Sequence, residues 1–413
     1  MGNISQSPLS PQEVQVEVDA AIEAVEKHLQ VLNRTIWLNP ELGQKEVLAH
    51  DSICLFFESL GYDVKRHAYG IETAFEVLGG SGGRLINYNA EYDCLPGIGH
   101  ACGHNLIATS SIAAFHALST VLKKFNIPGR TQLLGTPDEE GKGGKIMLLD
   151  GGAYKGVDVS LMAHPSPLYA EHKAAGIEGV AGCRMIARQY IEVGFRGKNT
   201  HAGGTPWMGI NALDAAVAAY NNISLLRQQI LPDERIHAVF LDGEKTINVI
   251  PAQARVALQA RSLNLNGLQT LVERVINCAK AAATATGCEV DIQKEPYYAD
   301  VMVNETLCER YQENIAAYGK GVLKIRDQVA SGSSDVGNVG YVVPALHALF
   351  GIPCAKGVSP HSANFADAAG TDAAYESAII TGKTLALVGF DVATKDEVFQ
   401  AVYSNWQKEM ART

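Results

Sequence analysis

The chain reads as an α/β protein with a mainly parallel sheet, interrupted by a smaller ferredoxin-like α+β domain. Three observations predict this. Apolar strands alternate with helices over the first 186 residues, a β-α-β-β-α-β order fills 187–296, and the first style resumes over 297–413. A length of 413 residues exceeds one compact core.

The elements follow in order. Residues 10–34 form a charged amphipathic helix, with Val14, Ala21, Ile22, Val25, Leu29 and Leu32 near one face. "NPELGQKE" breaks it, and a second helix through "SICLFFESLG" ends at Gly61. "AFEVLGG" and "RLINYNAEYD" are strands separated by a glycine turn. After the loop "HACGHN", "LIATSSIAAFHALSTVLKKF" is a long helix of small residues suited to close packing on a sheet. "TQLLGTPDEEG" and "VDVSLMAHPSP" each run from strand into loop.

The insert contains strands "QYIEVGFRG", "RIHAVFLDG", "ARVALQARSL" and "CEVDIQKE". One helix begins at "INALDAA" and another at "LQTLVER". Strand "ALHALFGIP" and helix "DAAYESAIITGKTLALVGF" close the first domain. No tandem repeat or low-complexity tract interrupts this order.

Composition narrows the function. Hydrophobic content of 47% with 19% charged residues is globular rather than disordered. A net charge of -10 argues against nucleic acid as a partner. Eight scattered cysteines without a CxxC predict reduced thiols and a cytoplasmic protein. The polar start lacks an apolar signal core, and the sequence contains no continuous apolar run of about 18 residues, so no membrane span is expected.

Ligand-type residues collect in four places: Cys102 and His104 in "HACGHN", Glu139 and Glu140 in "GTPDEEG", His164 in "MAHP", and His361 in "SPHSANF". The first three follow predicted strands, whose carboxyl ends share one edge of a parallel sheet. Thiolate, imidazole and carboxylate together suit zinc and tolerate manganese or cobalt. Of two adjacent glutamates, one can coordinate while the other reaches a metal-held water as general base. That is equipment for amide hydrolysis.

The stretches "NAEYDCLPGIGHACGHN", "GTPDEEGKGG", "MAHP", "GKNTHAGGTPWMGINALDAA", "INVIP" and "GSSDVGNVG" resemble the M20 family of metallopeptidases and amidohydrolases, in particular subfamily D, over roughly residues 30–390. The resemblance implies two divalent ions, zinc foremost, held by Cys102, His104, Glu140, His164 and His361. It implies Glu139 as general base and Asp93 as the residue orienting a ligand. His201 would stabilise the oxyanion, often from a partner subunit, and Asn248 would lie near the substrate. The outer segments become a metal-binding catalytic domain and 187–296 a lid and dimerisation domain. The substrate becomes a small dipeptide or N-acyl amino acid, and the assembly a homodimer.

Other readings stand beside these. Cys102 could be a nucleophile with His104 as its base, Glu139 a loop charge, His201 a buried histidine donating to a carbonyl, and Asn248 a turn residue before Pro251. "GKGGK" lacks phosphate-loop spacing and more simply turns the chain. "SGSSDVGNVG" could cradle a carboxylate or merely be a tight loop. Cys94 replaces the usual alanine, and two glycines after His201 would loosen that segment. Glu91 stands where other branches carry a ligating histidine and is not counted as a ligand; the role of His100 is open. The same site could run towards amide formation, or a silent homologue could only bind metal or ligand.

Overall fold

The computed structural model describes residues 9–243 and 246–412. The first eight residues, part of the polar start, lie outside the described set. The chain divides into two compact units. One comprises 9–184, Val301–Val329 and Ser334–Arg412; the other Met185–Asp300 and Ala330–Ser333.

The first unit is built on eight strands: β1 (Val64–Arg66), β2 (Phe75–Ser81), β3 (Leu85–Ala90), β4 (Gly129–Gly135), β5 (Val159–Leu168), β6 (Gly179–Gly182), then β11 (Leu323–Ile325) and β12 (Ala345–Pro353). The four intervening strands belong to the second unit: β7 (Ala187–Arg196), β8 (Arg235–Asp242), β9 (Gln253–Ser262) and β10 (Glu289–Lys294).

The large sheet runs β1-β2-β4-β3-β5-β12-β6-β11. Its centre, β4-β3-β5-β12, is parallel. Antiparallel β2 and β1 extend one side, while β6 pairs antiparallel with β12. Ile86, Tyr88, Leu133, Leu161 and Ala348 are fully buried or nearly so, and they share a core with Phe115 and Leu118 of the helix His104–Lys124. That helix is small-sided for a reason. A Cβ on Gly382, in the helix Asp372–Thr394, would meet Ala113 Cβ and Ser110 O at 2.8 Å. Only small residues permit this approach.

Both helices are long and apolar enough to cross a membrane by length and composition alone, although neither is an unbroken apolar run. Their apolar windows are 94% and 83% buried inside the fold. The helix expected over 10–34 is also two helices, Pro11–Glu23 and Glu26–Leu38. Neither proline nor glycine marks the break; Val25 leaves helical geometry at φ -118° while its side chain stays in the core.

The second unit has sheet order β10-β7-β9-β8, antiparallel throughout, which is the expected ferredoxin-like arrangement. Burial alternates along β7, so one face meets the helices and the other is more exposed. Asn211 caps the helix Ala212–Leu226, Asn264 caps Leu265–Thr286, and Gly287 ends the latter at φ +73°. Residues 330–333 join this unit through a Met185–Ala330 bridge and a 2.6 Å hydrogen bond from Ser333 Oγ to Ile186 O.

Candidate active site

The site of the first unit forms where two parallel strands separate. β3 and β5 pair only from Ile86–Val159 to Tyr88–Leu161. Beyond Leu161, β5 continues beside β12 alone and carries His164 opposite Leu349. The strand therefore passes through Pro165 and Pro167 to Leu168, where the sequence suggested a loop. The proline nitrogens cost no bond on the side where β3 has left.

Glu91 and Asp93 continue from β3, and Glu139 and Glu140 follow β4. Cys102 and His104 flank Gly103, which caps the long helix at φ +76°. A Cβ there would also lie 2.6 Å from Pro165 Cγ, so glycine is demanded twice. His361 comes from the loop after β12, at φ +63°, and its N–H donates to Ala101 O at 2.8 Å.

These side chains converge. Cys102, His104 and His164 form one group and Cys102, Glu140 and His361 a second, with ligand atoms within 4.8 Å of one another in each. Cys102 belongs to both. Its Sγ lies 3.3 Å from His164 Nε2, and His361 Nε2 lies 3.1 Å from Glu140 Oε1. Such spacings match neighbouring corners of a coordination shell with bonds of about 2.0–2.3 Å. His164 Nδ1 is 2.8 Å from the Pro165 carbonyl, the geometry of an N–H donor, which leaves Nε2 free to coordinate. Asp93 serves two partners: Oδ1 is 3.0 Å from His104 Nδ1, and Oδ2 accepts the Glu140 N–H at 3.0 Å.

The electrostatics fit a cation. Burial pushes the Cys102 thiol well above its usual range. A nucleophile needs the opposite shift, whereas a metal would stabilise the thiolate. Burial alone would lower the His104 pKa; Asp93 and Cys102 overcome it and hold it high. Burial, then Glu91 and Glu140, raise Glu139 well above an ordinary carboxylate. Glu140 is pulled down to about 2 against burial, by its hydrogen bond with His361 and the charge of His104.

Three residues that the sequence reading left out also reach this region. Lys145, fully buried, donates through Nζ to both Glu91 and Asp335. Its place within "GKGGK" gave no sign of this beyond a lysine entering an apolar helix, Gly144–Asp150. Asp335 belongs to "GSSDVGNVG", and it also accepts the Lys145 N–H. His347 on β12 is buried with its ring 5.9 Å from that of His164. Glu91 lies within 4.8 Å of ligand atoms on His104 and Glu139. His100 is structural: its Nε2 meets the Ile36 carbonyl at 3.1 Å, and burial lowers its pKa to about 4. Cys94 is a buried thiol raised to about 11.

His201 and Asn248 lie in the second unit and meet each other, with Asn248 Nδ2 3.2 Å from His201 Nε2. His201 is exposed, not buried, and its Nδ1 accepts from the N–H groups of Gly203 and Gly204 at 3.2 and 2.8 Å. The backbone N–H groups of the two glycines thus hold the ring.

A shared thiol between two ligand groups, beside a carboxylate of high proton affinity, defines a metal-dependent hydrolase. The chain belongs to peptidase family M20/M25/M40, whose model matches residues 88–379. It is 38% identical to the Xaa-Arg dipeptidase of Mus musculus, over 92% of this chain and 89% of that one. It is 35% identical to the Xaa-Arg dipeptidase of Homo sapiens, over 94% and 91%. Its fold is similar to that of a dinuclear metal-binding peptidase of Bacillus subtilis, with TM-score 0.66, 20% identity and coverage of 90% and 99%. The chain is accordingly an enzyme of metal-dependent amide hydrolysis on small substrates.

Proposed function

We propose that this enzyme hydrolyses dipeptides with arginine or another basic residue at the carboxyl end, using two divalent ions, zinc first. One observation carries the reading: five ligand-type side chains, Cys102, His104, Glu140, His164 and His361, meet in two groups sharing one sulfur. The basic preference is taken from the two Xaa-Arg dipeptidases.

When bound, the ions polarise the amide carbonyl and lower the pKa of water from about 15.7 towards 7. Glu139 removes the proton of the attacking water and delivers it to the departing amine. Its raised pKa suits both halves of that transfer. Asp93 fixes the ring of His104 and the backbone of Glu140. In the second unit, which acts as lid, Nδ1 of His201 is an acceptor, so the neutral ring carries its proton on Nε2. That N–H stabilises the oxyanion. Asn248 positions the ring, its side-chain amide 3.2 Å from Nε2.

The second unit also makes the homodimer. β8 is an edge strand with Val239, Phe240 and Leu241 exposed. No disulfide links the cysteines of the described residues, which fits a reducing cytoplasm. Neither nucleic acid nor membrane is a partner in this reading.

The test is a panel of Xaa-Arg, Xaa-Lys and neutral dipeptides and N-acetyl amino acids, assayed with and without chelator. Turnover of basic dipeptides that stops with chelator and returns with zinc is expected. Chelator-insensitive turnover, or a preference for neutral substrates, overturns the reading.

A further inference from the structure

Glu91 is 1% exposed and sits against two fully buried charges, Lys145 and Asp335. Two carboxylates on one ammonium leave an excess negative charge in the interior. Burying such a charge costs several kcal/mol unless another cation answers it. The two Glu91 oxygens differ. Oε1 accepts from Lys145 Nζ, whereas Oε2 has no hydrogen-bond partner among the described residues.

What Oε2 faces is informative. It lies 3.5 Å from His104 Nε2, and that nitrogen also lacks a hydrogen-bond partner among the described residues. Asp93 takes the Nδ1 side of the ring, so once a metal cation replaces the proton on Nε2 the ring presents a lone pair there. Two lone pairs then point into one space. A tetrahedral shell with metal–nitrogen and metal–oxygen bonds of about 2.0–2.2 Å has neighbouring ligand atoms about 3.4 Å apart. The observed separation fits a shared cation.

Accepting the metal site above, we propose that Glu91 is a further metal ligand, on the ion that His104 holds. The Lys145–Asp335 pair aims it. Lys145 anchors one oxygen and leaves the other turned to the ion; Asp335 holds Lys145 through both its N–H and its Nζ. The pair is a positioning device, and Glu91 is the group that touches metal.

The experiment measures metal, not turnover. Full-length protein is stripped with chelator and titrated with zinc by calorimetry. Ion content is counted by elemental analysis, and visible spectra are recorded after cobalt loading. Glu91→Gln leaves Lys145 and Asp335 as a matched pair, so the fold is retained. Ligation predicts loss of affinity for one of the two ions by roughly 10–100-fold or more, with altered cobalt band intensities. Glu91→Asp keeps the charge but is one methylene shorter. Ligation predicts weakening there too, whereas a purely electrostatic role predicts wild-type affinity.

Unchanged affinity and spectrum in Glu91→Gln, or full affinity in Glu91→Asp, overturns the proposal while leaving the five-ligand site standing. A wild-type protein that binds no ion overturns both.

Discussion

Asp93 and His104 are both fully buried and meet at 3.0 Å, Oδ1 to Nδ1. With its other oxygen Asp93 takes the Glu140 N–H. One carboxylate thereby couples the loops after β3 and β4. Asn at position 93 can satisfy only one of these two donors, because its amide group presents N–H to the other. Asp93→Asn should therefore weaken zinc binding roughly 10–100-fold. Titration of metal-free protein measures this; unchanged affinity would remove Asp93 from its orienting role.

The adjacent glutamates should separate cleanly. Glu139→Gln removes the proton carrier but no ligand, so kcat should fall at least about 10²–10⁴-fold with two ions still bound. Glu140→Gln should instead lose bound metal, because Glu140 belongs to the group with Cys102 and His361. Elemental analysis of both variants decides it, and the reverse pattern would exchange the two roles.

Glu46 gives a pH prediction. It is fully buried, accepts from Thr73 Oγ1 and from the Asp138 N–H, and its pKa rises to about 7 through burial and then the charge of Asp93. Below the ordinary value of 4.5 the group is protonated whether folded or not. Between 4.5 and about 7 the unfolded chain sheds the proton while the folded chain keeps it, so stability falls as pH rises. Glu46→Gln abolishes that slope. Its melting temperature should gain on the wild type between pH 5 and 7.5; an offset equal at both pH values would contradict the assignment.

Gly103→Ala tests the cap between Cys102 and His104. Alanine must adopt φ +76° and place its Cβ 2.6 Å from Pro165 Cγ. A loss of about 1–3 kcal/mol is expected, with reduced metal content because both flanking ligands move. Thermal melts with and without zinc measure both effects.

Much of this site was legible because its ligands sit in short, distinctive loops after apolar strands. The strand-end placement of Glu139 and Glu140 follows from alternation alone. The Glu91–Lys145–Asp335 cluster was not legible. Lys145 and Asp335 are 190 residues apart, and nothing local distinguishes a buried lysine from a solvated one. The four-residue β6 and the three-residue β1 and β11 escaped because strands this short carry no period. The extension of β5 through two prolines depended on β3 departing, which is a tertiary fact.

The clasp from the His361 N–H to the Ala101 carbonyl joins the last ligand to the neighbour of the first. During translation at about 5–20 residues per second, Cys102 emerges on the order of tens of seconds before His361 exists. Throughout that interval the nascent polypeptide carries a naked sulfhydryl and several acidic groups with nothing to neutralise them. The full ligand set, and with it any complete metal site, therefore exists only after the chain has been made through His361.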